Sequence, residues 1–326
     1  MLRGTSRVRT LWSTAASSVS SNTVRISTLA GILVLLIEVP RAYPHDGVER
    51  HFALDIKSRS IGGTVRNSRV RQKLRAGRPV ICTKINTVDP VIVDMIGLFG
   101  FDCVWICKEH AAVDWDRLGH LIRTANMNDL DTLVRVSKGS YSDFIRPLEL
   151  GATGIMVPHC RDEMEAQEIA RSTRFHPVGR RPLDGGNSDA HYTLTPLSDY
   201  LREANENTFV IVQIEDPEAI DNIEKIAGVE GIDGLFIGPA DLAQGLGVPG
   251  QLNHPKIAET IARVADACRK NQKNWGIPLA LETVPKYLEM GARFLAIGAD
   301  VLGLREYYGG LRKRLGDLGI EFSTPK

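Results

Sequence analysis

The sequence predicts an α/β fold, a closed (β/α)8 TIM barrel, over residues 67–326. Short apolar runs alternate there with longer amphipathic stretches, a pattern typical of a parallel sheet covered by helices. Eight such runs fall within about 260 residues, and barrels of this class commonly take about 250. The alternative is a doubly wound open sheet, but no G-x-G-x-x-G fingerprint follows the first strand.

The predicted strands are runs of β-type, largely apolar residues bounded by charged or turn-forming residues. In chain order they are 79–84, 102–107, 132–136, 153–157, 208–215, 233–238, 275–280 and 294–299. Between them, segments such as VDPVIVDMIGLFG and HPKIAETIARVADACRK carry apolar residues at helical spacing. The chemistry of this barrel lies at the carboxyl ends of its strands, so polar residues at those ends are the candidates for a functional site.

Residues 1–66 differ in composition from the barrel, and we expect a poorly ordered N-terminal extension. Residues 1–28 contain four arginines and no acid, and the apolar run LAGILVLLIEVP follows. That run is interrupted by Glu38 and Pro40, and a membrane span needs about 18 apolar residues or more. A basic start before an apolar run can mimic a targeting segment. We nevertheless predict a cytoplasmic protein.

The composition disfavours several classes of protein. A hydrophobic content of 43% and a charged content of 24% are typical of a globular chain with a sizeable core. The net charge of +1 argues against a nucleic-acid partner held by bulk charge, and we expect no membrane partner. The five scattered cysteines predict reduced thiols. A zinc cluster with His110 is disfavoured because Cys103 and Cys107 would lie roughly 13 Å apart on one strand.

Two carboxylates follow consecutive predicted strands. Glu215 ends the fifth strand, and Asp241 follows the sixth. Either residue alone could be an ordinary loop residue, and Asp241 could cap the next helix. Together at one rim they repel unless a cation neutralises them or one binds a proton. Oxygen ligands predict Mg²⁺ or Mn²⁺, with coordination positions left for substrate and water.

The same rim is predicted to carry a fixed cation, a base and an anion site. Arg135 ends the third strand, and its guanidinium favours an anionic substrate over the sugar chemistry that paired carboxylates can also perform. His110 follows the second strand, and histidine is the side chain best suited to carry protons in the neutral pH range. Gly238 permits close backbone approach, and the N–H groups of Ala240 and Asp241 suit a carboxylate. Together these residues predict the formation and quenching of an enolate.

Over roughly residues 68–310, the chain resembles the HpcH/HpaI family of class II, metal-dependent 2-oxo-acid aldolases. The segments that carry the resemblance are AGRPVICTK, GFDCVWICKEH, LVRV, LELGATGIMVP, VIVQIEDPEAIDN, DGLFIGPADLAQGLG and FLAIGADVLGL. The resemblance implies a homo-oligomer, commonly a hexamer in which subunits exchange a helix. It also implies a lyase that cleaves or forms a 4-hydroxy-2-oxo acid, giving pyruvate (or a close analogue) and an aldehyde through a metal-stabilised enolate.

Matched position by position, the resemblance also implies roles for individual residues. His110 would be the catalytic base, Arg135 would stabilise the enolate, and Glu149 would hydrogen-bond His110 where an aspartate is more familiar. The metal would be Mg²⁺ or Mn²⁺, with Co²⁺ as a third candidate. The implied residues are Glu215 and Asp241 for the metal; Gln213, Gly238, Ala240 and Asp241 for the substrate; and His110, Arg135 and Glu149 for catalysis.

Several positions depart from the family pattern, and three of them lie at predicted strand ends. Cys107 and Lys108 replace an aspartate and a glycine before the Glu-His pair, and Lys84 replaces a tryptophan. Lys84 raises the alternative of a Schiff-base mechanism, although the carboxylates nearby would keep its amine charged. Two further alternatives are a lyase for malyl- or citramalyl-type CoA thioesters and a catalytically degenerate barrel that binds an acid. The sequence leaves the aldehyde half of the substrate open.

Overall fold

The computed structural model describes residues 23–29, 32–38 and 65–323. The chain forms two compact units, Met1–Ile61 and Gly62–Lys326. In the first unit, β1 (Thr23–Leu29) and β2 (Ile32–Glu38) pair antiparallel, with Thr23 opposite Glu38. Sequence analysis assigned no strand there. The expected poor order of residues 1–66 falls mostly outside the described residues and stays a prediction.

The second unit contains the predicted barrel. Eight parallel strands close in the order β10-β3-β4-β5-β6-β7-β8-β9, which confirms the predicted fold class. Each predicted strand is present within one or two residues of its expected bounds. The strands are β3 (Val80–Ile85), β4 (Cys103–Cys107), β5 (Asp131–Arg135), β6 (Gly154–Val157), β7 (Phe209–Ile214), β8 (Gly234–Ile237), β9 (Asn274–Leu279) and β10 (Phe294–Ala299).

Helices connect successive strands and cover the outside of the barrel. Aspartates begin several of them: the side chains of Asp89, Asp114 and Asp162 accept backbone N–H groups of the first turns of α2, α3 and α5. The helices are α1 (Arg69–Arg75), α2 (Pro90–Leu98), α3 (Trp115–Met127), α4 (Tyr141–Glu149), α5 (Glu163–Thr173), α6 (Leu197–Asn207), α7 (Pro217–Ile220), α8 (Ile223–Gly228), α9 (Pro239–Gly245), α10 (Pro255–Lys270), α11 (Val284–Glu289) and α12 (Asp300–Asp317).

Strand alternation fills the barrel interior in layers. A layer of aromatic rings closes it, with Trp105 and Phe236 at 5.5 Å and Phe236 and Phe294 at 6.2 Å between ring centroids. Residues two positions further along the strands share the same inward face and lie nearer the carboxyl ends. This polar layer above the apolar floor consists of Lys84, Cys107, Arg135 and Gln213.

Helix α12 differs from the other long helices because none of its residues is buried. Large apolar side chains such as Leu304, Tyr307 and Tyr308 are exposed along it. Among the described residues, no helix is long and apolar enough to cross a membrane.

Candidate active site

Glu215 lies at the carboxyl end of β7 and is almost fully buried. Its Oε1 accepts the His159 backbone N–H at 2.9 Å, and its Oε2 accepts the Gln213 side-chain amide at 2.9 Å. Burial raises the pKa of Glu215 to about 7, although His159 and Arg135 oppose this shift, and Asp241 adds to it. Hydrogen bonds therefore hold the carboxyl group in a place where burial makes its ionised form energetically costly.

Gly238 is the last residue before α9, and its backbone packs directly against the Glu215 carboxyl group. A Cβ atom at position 238 would lie 2.1 Å from Glu215 Oε2, so only glycine fits beside this carboxyl group. Asp241 lies in the first turn of α9 and is exposed, and Gly238 rather than Asp241 is the N-cap. The alternative interpretation of Asp241 as a helix cap is therefore wrong. Ala240, in the same first turn, is exposed as well.

Arg135 is buried in the polar layer, as its position at the end of β5 predicts. Its Nη2 donates to the Cys107 thiol at 3.1 Å, and its Nη1 reaches Gln213 Oε1 at 3.5 Å. Its Nε lies 3.1 Å from a carboxylate oxygen of Glu109. The guanidinium carbon also lies 4.9 Å from the centre of the Trp105 ring. These contacts fix the cation rigidly between the floor and the mouth of the barrel.

His110 lies at the mouth and is exposed, which leaves its imidazole accessible to a substrate. Its Nε2 is 3.5 Å from Glu109 Oε2, and its backbone N–H donates to the Cys107 sulfur at 3.4 Å. Glu109 thus lies between the imidazole and the Arg135 guanidinium. Among the described residues, Glu109 is the one acid with a carboxylate oxygen within 4.0 Å of the His110 imidazole.

Glu149 lies at the other end of the barrel. It is the last residue of α4, the helix that returns from the carboxyl end of β5 to the start of β6. Burial raises its pKa, and the charged groups that act on it include Arg181 and Asp189. The structure therefore does not bring Glu149 to His110 within one chain, and their pairing stays a prediction.

His159 belongs to the site and was missed by sequence analysis. It follows β6 with a left-handed backbone, φ 55°, which is uncommon for a residue other than glycine. Its Nδ1 lies 3.1 Å from Asp216 Oδ1 and 3.7 Å from Glu215 Oε1, and its Nε2 lies 3.7 Å from Glu109. The criterion applied to other strands, a titratable residue just past the strand end, would have identified it.

The departures from the family pattern occupy different places. Cys107 is buried beside Arg135, whereas Lys108 turns away from the mouth. The Lys108 amine donates to the Val113 carbonyl at 3.2 Å and lies 4.2 Å from the centre of the Trp115 ring. Lys108 therefore supports the loop after β4, and only Lys84 and Cys107 face the interior.

The donor set fits a hard divalent cation. Glu215 and Asp241 offer carboxylate oxygens at the ends of neighbouring strands, and these are the ligands that Mg²⁺ and Mn²⁺ favour. Within residues 65–323 and the two N-terminal strands, no group of three or more His, Cys, Asp or Glu side chains could enclose a metal ion. Because Mg²⁺ and Mn²⁺ take about six oxygen ligands, a cation bound by these two carboxylates would have positions left for other oxygen ligands.

Residues 85–306 match the description "HpcH/HpaI aldolase/citrate lyase". The chain belongs to this family. The predicted resemblance is thus confirmed, and the chain is a member of an aldolase and lyase family of enzymes. A 5-keto-4-deoxy-D-glucarate aldolase of Klebsiella pneumoniae is 33% identical over 194 residues, which are 60% of this chain and 75% of that protein.

Two solved structures of similar sequence share the barrel. The HpcH/HpaI aldolase of Desulfitobacterium hafniense DCB-2 superposes with a TM-score of 0.73 at 28% identity, over 78% of this chain and 98% of that one. The citrate synthase SbnG superposes with a TM-score of 0.71 at 30% identity, over 77% of this chain and 98% of that one.

Proposed function

We propose that the chain is a divalent-metal-dependent aldolase. It would cleave a 4-hydroxy-2-oxo acid into an aldehyde and pyruvate (or a close analogue of pyruvate), or form the acid from these two compounds. The observation that carries this proposal is the buried Glu215 carboxyl group, which shares the mouth of the barrel with Asp241 and with the fixed Arg135 guanidinium two strands away. Relatives named 5-keto-4-deoxy-D-glucarate aldolase support the reaction class.

Glu215 and Asp241 would hold the metal, which when bound would supply a Lewis acid for the 2-oxo acid. Gln213 keeps Glu215 in position through its amide hydrogen bond. The first turn of α9, with the N–H groups of Ala240 and Asp241, would take the carboxylate of the 2-oxo acid. Gly238 lets that acid approach the backbone.

Arg135 would stabilise the negative oxygen of the enolate, because its guanidinium is preorganised and its charge is permanent. His110 would accept the proton of the C4 hydroxyl when the C3–C4 bond breaks. Glu109 would orient the imidazole and stabilise its protonated form, since its carboxylate lies 3.5 Å from the His110 Nε2 atom. Glu149 could serve His110 only across subunits.

The exposed apolar side chains along α12 support a homo-oligomer. Helices of globular proteins bury an apolar stripe, and a helix with no buried residue leaves that surface for another chain. The family resemblance implies exchange of one helix in a hexamer, and α12 is the helix suited to it. The mass of the protein in solution, measured by light scattering, tests this assembly.

Exchange of pyruvate methyl protons in deuterated water tests enolate formation without knowledge of the aldehyde. We expect exchange that requires Mg²⁺ or Mn²⁺ and stops on addition of EDTA. Asp241→Asn should weaken Mn²⁺ binding, measured by calorimetry, by at least about 100-fold, since even residues outside the ligand set cost 10- to 100-fold. Asp266→Asn, at an exposed carboxylate on α10, is the matched control.

Two results would contradict the proposal in different ways. Exchange that persists unchanged after chelation would exclude the metal role. Intact Mn²⁺ binding without any exchange or aldol turnover would instead favour a degenerate barrel that binds an acid.

A further inference from the structure

His159 connects the loops that follow three neighbouring strands, β5, β6 and β7. Its backbone N–H donates to Glu215 Oε1 at 2.9 Å, and its imidazole Nδ1 lies 3.1 and 3.2 Å from the two oxygens of Asp216. Its carbonyl oxygen accepts the Lys138 amine. Because a carboxylate only accepts hydrogen bonds, Nδ1 is the ring nitrogen that carries a proton. The N–H, the side chain and the carbonyl of this one residue are therefore all bound to distant parts of the chain.

These contacts keep the backbone of His159 in the left-handed conformation, φ 55°. Such a conformation is costly for a residue other than glycine, and it persists where the surrounding contacts determine it. The angle φ sets the direction of the N–H relative to the rest of the residue. The left-handed value is therefore what lets the N–H face Glu215 while the ring faces Asp216, and the ring contact stabilises that value in return.

Glu215 depends on the His159 N–H because only two hydrogen bonds reach its buried carboxyl group among the described residues. The other donor, the Gln213 amide, lies two residues earlier on the same strand. The His159 N–H instead comes from the neighbouring strand, so it fixes the carboxyl group from a second direction. A buried carboxylate that loses such a donor also loses part of the stabilisation of its charged form.

We propose that His159 is a positioning residue for Glu215. The hydrogen bond from its ring to Asp216 keeps the backbone left-handed, and the N–H aimed in this way holds the Glu215 carboxyl group in one orientation. The inference rests on the proposed function, because it assigns to His159 a share of the metal affinity that Glu215 would supply. The ring Nε2 atom takes no part in this role and lies 3.7 Å from Glu109.

Two substitutions at position 159 separate positioning from a direct role of the ring. Asparagine tolerates a left-handed backbone and carries its amide nitrogen where the imidazole carries Nδ1, so His159→Asn keeps the contact with Asp216 and removes Nε2. Leucine provides neither property. We expect Mn²⁺ affinity, measured by calorimetry, to fall by about 10- to 100-fold in His159→Leu, the range for a hydrogen bond to a charged group. His159→Asn should retain most of the affinity, and an equal loss in both variants would overturn the inference.

Gln272→Leu is the matched control, because Gln272 has the same φ of 55° but is exposed just before β9, at the end of the barrel opposite the mouth. It should bind Mn²⁺ with native affinity. A second pair of variants leaves His159 unchanged. Asp216→Asn and Asp216→Ala remove the same charge, but only asparagine leaves an acceptor for the ring. We expect about tenfold weaker Mn²⁺ binding in Asp216→Ala than in Asp216→Asn, a difference that should vanish when residue 159 is leucine. Its persistence in that background would overturn the inference.

Amide hydrogen exchange tests the same contact without a metal. The His159 N–H, followed by NMR in the metal-free protein, should exchange about tenfold faster in Asp216→Ala than in Asp216→Asn, because only the first variant frees the ring. Equal exchange rates would overturn the inference. A native protein that binds no Mn²⁺ would contradict the proposed function, and the exchange comparison would still decide whether His159 positions Glu215.

Discussion

Gly238→Ala is expected to damage the metal site without altering a ligand. The new methyl group would lie 2.1 Å from Glu215 Oε2 and 2.8 Å from Glu215 Cβ. Rotation of the carboxyl group alone cannot relieve this clash, because the Cβ atom is also too close. The backbone conformation at 238, φ −97°, is open to alanine, so any loss comes from the contact.

Glu215 has little freedom to move, because it is 2% exposed and is held between Gln213 and His159. Displacement would break one of its two hydrogen bonds, and overpacking of this kind costs about 1–3 kcal/mol. If this free energy is lost from metal binding, the affinity for the metal should fall by about 10- to 100-fold, since 1.4 kcal/mol corresponds to a factor of ten.

Calorimetric titration with Mn²⁺, together with thermal unfolding, measures this effect. Gly185→Ala is the matched control, because the added Cβ would meet only the Thr193 methyl group at 4.0 Å. Gly238→Ala should lose affinity, and Gly185→Ala should not. Native Mn²⁺ affinity and native stability in Gly238→Ala would refute both the packing argument and the assignment of Glu215 as a ligand.

Two further predictions concern pH. Burial raises the pKa of Glu215 to about 7, so metal binding below that pH must release its proton. The affinity for Mn²⁺ should therefore fall about tenfold per pH unit below 7. A constant affinity from pH 5.5 to 7 would contradict this prediction. Burial would raise the pKa of Glu165, but hydrogen bonds from Arg161 and Lys138 outweigh it and hold that pKa at about 2. The resulting stability is complete above pH 4.5 and is lost as the pH falls toward 2. Glu165→Gln should therefore lower the free energy of unfolding by about 1 kcal/mol at pH 7, after allowance for screening, and by less at pH 3; a denaturant-measured difference independent of pH would disprove the assignment.

The sequence by itself determined the fold and predicted where the chemistry lies. Parallel strands buried on both faces need nearly continuous apolar residues, so the eight strands could be identified from the positions of the apolar runs. The period of two within each strand also aligns Lys84, Cys107, Arg135 and Gln213 on one inward face. The paired carboxylates after β7 and β8 follow from the same reasoning, since the ends of neighbouring parallel strands share one rim.

Only the tertiary structure decided which side chains meet at that rim. His110 pairs with its neighbour Glu109, whereas Glu149 lies at the far end of α4, because a helix that connects parallel strands returns its last residue to the opposite end of the barrel. His159 follows β6 closely enough for the strand-end criterion to identify it, but its contacts with Asp216 and Glu215 arise only in the folded loop, because those residues come from another strand end.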